Sequence, residues 1–183
     1  MFISIIFFHS IYLPLQKQFQ ENYQHKNMKF FTEISNDELL HLQDAVPQIA
    51  ILIAGADGNI DEEEREWADK LTNIRTYAGD KILHEFYATV HANFRIRFND
   101  MLKTLPKNTA ERQQILSGNL SNLNGILAKL DPRVAYHVYQ SFVTYAKSIA
   151  EETGGFFRFG AISSEEKKWV ELPMITPIEQ PIE

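Results

Sequence analysis

Apolar residues recur at intervals of three and four along most of the chain, the spacing of one face of an α-helix. Ser35 and Glu38 stand three apart just ahead of such a run. This is a capping-box pattern, and it predicts a helix beginning near Asn36. Leu39, Leu42, Val46, Ile49, Ile53 and Ala56 carry its stripe. Pro47 interrupts it, either as a kink or as the first turn of a second segment starting near Asp44. Ile49 to Ala56 is apolar nearly all round, which marks the most buried helix. Leu83, Phe86, Tyr87, Val90, Phe94, Phe98, Met101, Leu102 and Leu105 predict a long amphipathic helix over 80–105, stopped by Pro106. Thr109 opens another, along which Leu116, Leu120, Leu123, Leu127 and Leu130 repeat. Asp131 and Pro132 read as N-cap and first helical residue. Val134, Val138, Phe142, Tyr145 and Ile149 line the helix that follows, and Gly154-Gly155 end it. No alternating β-branched run bounded by hairpin turns occurs. The expected class is therefore all-α, a single helical bundle of about six or seven helices.

The two ends read differently from the middle. Residues 1–15 are apolar and aromatic but broken by His9, Ser10 and Pro14, and they fall short of the ~20 apolar residues of a membrane span. No basic start or small-residue cleavage site accompanies them, as a signal peptide would require. Residues 16–27 form a polar linker, and Met28 begins a segment that reads as an ordinary cytoplasmic start. Residues 1–27 thus read as upstream sequence from an over-long gene reading, as a weak membrane anchor or as an extra helix. The anchor is the one reading under which a membrane would be a partner. The helical domain is expected over 28–172, followed by an extended Pro-rich tail at 173–183.

Composition narrows the chemistry. The 183 residues hold no cysteine, which excludes a disulfide scaffold, cysteine-ligated zinc, iron–sulfur ligation and a cysteine nucleophile. A net charge of -6 argues against a nucleic-acid partner, since such binders cluster Lys and Arg against phosphates. No phosphate loop, nucleophile elbow or H-E-x-x-H pattern is present, so no enzymatic activity is expected. His84 and His91 lie two turns apart on one helix and read as half-buried polar positions; His41 and His137 are lone.

Two arms of the chain resemble each other. Ile60, Glu63, Glu64 and Trp67 match Ile162, Glu165, Glu166 and Trp169 at a constant offset. Each arm reads as apolar helix, glycine turn, isoleucine, cap (Asp61 or Ser163), acidic first turn and tryptophan. The glycine allows the left-handed turn, the cap satisfies the first free N–H groups, and the carboxylates face the positive end of the helix dipole. This predicts two pseudo-equivalent helix–turn–helix corners. IAGADGNIDEEEREW and SIAEETGGFFRFGAISSEEKKW resemble the two motifs of the TerB-like family, named for bacterial tellurite resistance, over roughly residues 36–172. The resemblance implies an all-helical cytoplasmic domain with a stress-response or divalent-cation role and no catalytic machinery. Arg158 stands where the family has a small residue, and the Pro-rich stretch after Trp169 replaces the end of the last helix.

Two sites follow from these patterns. Asp57, Asn59 and Asp61 alternate through a tight turn with Glu63 and Glu64 beyond, an oxygen-rich spacing that suits Ca2+ or Mg2+. The loop is no EF-hand, since Glu62 and Ala68 stand where that loop needs Gly and Glu. Segment 57–70 has seven acids against two bases, a net of -5, so nearly all the excess charge sits on this corner. Capping alone explains the glutamates common to both arms; Asp57 and Asp61 have no carboxylate counterpart in the second, which leaves them as the candidates for binding. The second site is the loop Phe156, Phe157, Arg158, Phe159, set between glycines. It is either a plug between helices or an apolar patch that docks a protein partner.

Overall fold

The computed structural model describes residues 28–155 and 168–182. Among them are six α-helices and no strand: α1 (Asn36–Ala54), α2 (Glu62–Ile74), α3 (His84–Thr104), α4 (Thr109–Ser121), α5 (Leu123–Leu127) and α6 (Pro132–Gly155). The bundle class predicted from the spacing is the one observed.

The start of α1 is fixed by the expected box. Ser35 is extended, its Oγ accepts from Glu38 N–H at 3.2 Å, and Glu38 Oε2 accepts from Ser35 N–H at 2.9 Å. Pro47 lies inside one uninterrupted helix, so no second segment begins at Asp44. Its ring supplies no N–H to the carbonyl of Gln43. Helix α1 runs through the centre of the bundle and packs against each of the other five. Leu42, Val46, Ile49 and Ile53 are fully enclosed there. By length and composition Asn36–Asp57 is apolar enough to cross a bilayer, yet 78% of its most apolar window is buried inside the protein.

The leucine repeat after Thr109 is not one helix. The chain breaks at Asn122, whose N–H turns back to the Asn119 carbonyl, and α5 restarts at Leu123. Leu116, Leu120, Leu123, Leu127 and Leu130 are all buried, so the stripe is real and the break lies on its solvent side. A single 3-10 turn, Lys81–Leu83, precedes α3, with Asp80 capping it. Asp131 Oδ1 accepts from Arg133 and Val134 N–H, and Pro132 opens α6 as expected.

The C-terminal stretch is part of the core. A helical turn at 168–170 buries Trp169 and Val170, and Leu172 and Ile175 are buried beyond it. Residues 173–182 form no helix, but Asn124 holds them in place. Its Nδ2 donates to Met174 O at 3.0 Å and its Oδ1 accepts from Thr176 N–H at 2.8 Å. One carboxamide thereby imitates the backbone pairing of a strand.

Candidate functional site

The acidic corner is a tight turn joining α1 to α2. After Ala54 the chain makes a 3-10 turn, Gly55–Asp57, and Gly58 closes it with φ +107°, a conformation that costs a residue with a Cβ. Asp57 Oδ1 accepts from Asn59 N–H at 3.0 Å and fixes the next step. Asp61 is extended and caps α2: its Oδ1 accepts from Glu64 N–H at 2.8 Å, and Glu64 Oε2 accepts from Asp61 N–H at 2.9 Å. Ile60 sits one residue earlier, packed onto the core. A Cβ on Gly55 would stand 3.0 Å from Ile60 Cδ1, so this glycine lets the isoleucine close over the turn.

The backbone of the turn is already occupied. Arg112 of α4, 7% exposed, donates from Nη2 to the Gly55 carbonyl at 2.9 Å, and Gln113 Nε2 donates to the Ala56 carbonyl at 3.4 Å. Calcium loops use backbone carbonyls as well as carboxylates. Here the Gly55 carbonyl faces a guanidinium and the Ala56 carbonyl a carboxamide, and the guanidinium's positive charge opposes a cation in the turn. Among the described residues, no three His, Asp or Glu side chains gather as a metal-holding group. Of the five predicted ligands, the structure joins Asp61 to Glu64 through the cap, keeps Asp57 with Asn59 in the turn, and leaves Glu63 exposed on α2.

The remaining carboxylates form a surface. Glu62 pairs with Arg65 at 2.8 Å, while Glu63 and Glu66 have no ion pair among the described residues. Beside them a cleft of about 70 Å³ opens between α2 and α3, floored by the rings of Phe94 and Phe98 and rimmed by Glu62, Glu66 and Arg95. Asp69 holds Arg95 at 2.7 Å, and that carboxylate keeps the guanidinium proton bound even more firmly than usual.

A buried polar seam fixes this surface to the rest of the bundle. Arg75, at the end of α2, donates to the Ser141 carbonyl and to Thr144 Oγ1 of α6, each at 3.2 Å. Its guanidinium lies 5.6 Å from the Tyr87 ring centroid and 5.4 Å from that of Tyr145. Tyr145 OH donates to the Ala68 carbonyl at 3.1 Å and meets Thr72 Oγ1 at 3.0 Å. Burial pushes the Tyr145 phenol well above its usual range, so it stays neutral and serves as a hydrogen-bonding group. Trp67 adds a tie, donating from Nε1 to the Ser148 carbonyl at 3.2 Å. Arg75 and Arg112 had no signature in the sequence. Tyr87 and Tyr145 were visible only as members of apolar stripes.

One histidine expectation changes, while His84 and His91 are half-buried as expected. His137 is not alone, since its Nδ1 meets Asp80 Oδ2 at 2.7 Å, and His91 faces Asp69 at 3.7 Å. The Phe156, Phe157, Arg158, Phe159 loop lies outside the described residues, as does most of the second arm. Of that arm, Trp169 is described: it is buried, with Lys168 over its ring as Lys70 lies over Trp67. No protein-family model, curated protein or solved structure matches this chain.

Proposed function

We propose that the chain is a non-enzymatic helical module, TerB-like in type and cytoplasmic, that engages a protein partner with a basic surface through the start of α2. One observation carries this reading: exposed Glu62 and Glu66 border a cleft with a phenylalanine floor, and exposed Glu63 stands between them in sequence on the same helix. A lysine side chain suits such a place, because its methylene stem can lie on the rings while its ammonium stays at the charged rim. The seam from Arg75 to Tyr145 holds α2 rigid, and a rigid surface costs less entropy to bind. A role in stress response belongs to the same proposal and rests on the two motifs alone.

Ca2+ or Mg2+ in the turn is the weaker alternative. Capping uses Asp61 and Glu64, and Arg112 sits against the turn carbonyl. Docking through the Gly-Phe loop has no observation in its favour among the described residues.

Photo-crosslinking in the native cells tests the proposal, with the reactive group placed at Glu63. The expected result is one dominant adduct, with a protein carrying a basic surface. It should vanish when Glu62 and Glu66 are both changed to Lys, and weaken with added salt. An adduct pattern unchanged by that reversal would remove the proposal.

A further inference from the structure

A second cleft, of about 270 Å³, opens between α1 and the break that separates α4 from α5. It involves none of the residues of the acidic corner. We propose that it binds a neutral, flat ligand with an amide-like edge, the class to which nucleosides belong.

Two irregularities meet there, and a third adjoins them in sequence. Pro47 sits in the interior of α1, where proline costs roughly 3 kcal/mol relative to alanine. Its neighbour Gln48 lines the cleft, and Gln48 Oε1 is shut away from solvent with no hydrogen-bond donor. The leucine helix breaks at Asn122, and Asn119 and Asn122 form the opposite wall. Local inconsistencies of this kind concentrate where a chain serves something other than its own stability.

The lining selects the ligand. Gln48, Asn119 and Asn122 make no side-chain hydrogen bond among the described residues. A carboxamide presents a donor beside an acceptor, and the edge of a nucleobase offers the complementary pair. Gln48 can turn outward without losing a bond, because it has none to lose. Leu120 and Leu123, both buried, back the lining behind the carboxamides. The one carboxylate in the lining, Asp44, is paired with Arg97 from outside the cleft. Among the described residues the lining holds no Lys or Arg to meet a phosphate, which favours a nucleoside over a nucleotide. The volume lies just below the roughly 300–1,000 Å³ range of ligand pockets and suits a single base with its sugar.

The test titrates the full chain with adenosine, guanosine, cytidine and uridine while backbone amide shifts are recorded by NMR. At least one nucleoside should give saturable shifts at the amides of residues 41–48 and 119–123. Gln48→Leu should weaken that binding roughly tenfold without lowering the melting temperature, since it removes an oxygen that has no partner. Asn119→Ala, at an exposed position, should weaken binding in a chain that folds normally. The corresponding monophosphate should bind no more tightly than the nucleoside. The proposal is overturned if no nucleoside moves these amides, if neither variant changes the affinity, or if the monophosphate binds more tightly.

Discussion

At the scale of single residues, the acidic corner separates into groups that hold the fold and groups that face outward. Asp61 caps α2, so Asp61→Ala should cost about 1 kcal/mol in urea unfolding, and Asp61→Ser should recover most of it. Glu63→Ala, at an exposed position with no ion pair among the described residues, should change stability by less than about 0.5 kcal/mol. Gly58→Ala should cost about 1–2 kcal/mol, because alanine must then adopt φ +107°. Glu38 gives a test in pH. The hydrogen bond from Lys129, joined by that from Ser35 N–H, holds its carboxyl down at about 2 against an ordinary 4.5. A depressed carboxylate stabilises the fold fully above its ordinary value and loses that contribution as pH falls through the lower one. Wild type should therefore melt above Glu38→Gln at neutral pH, and the two melting curves should converge as pH drops from about 4.5 to about 2.

At the scale of elements, joints between helices decide where α2 and the C-terminal stretch sit. Tyr145→Phe removes a buried hydroxyl that meets both Ala68 and Thr72, and should cost about 1–2 kcal/mol by denaturant unfolding. Ile175→Ala should cost about 2–4 kcal/mol, as for a core position, although it lies in a segment without helix. These joints mark the limit of what the sequence discloses. Ser35 with Glu38, Asp61 with Glu64, and Asp131 with Pro132 act within three residues, so their spacing announces each helix start. Asn124 and Met174 are 50 positions apart, and Arg112 reaches Gly55 across 57. Nothing near either partner encodes such a pairing. The break at Asn122 escaped for a different reason: the leucine stripe continues through it in phase, and periodicity reports which face is buried rather than whether the backbone is continuous.

At the scale of the whole molecule, a chain of net charge -6 concentrates its excess on one exposed corner fixed to the core. The charge density of that corner was legible in the sequence. What meets that corner was not, because Arg112 enters from another helix and donates to the Gly55 carbonyl. On the proposed reading, this turn is a capped helix start presenting carboxylates to a partner, rather than a cage for an ion. Calorimetric titration of the full chain with Ca2+ and Mg2+ tests it most directly. Weak heats that do not saturate, the same for wild type and Asp57→Ala, are expected. A saturable single-site isotherm that disappears in Asp57→Ala would contradict that reading.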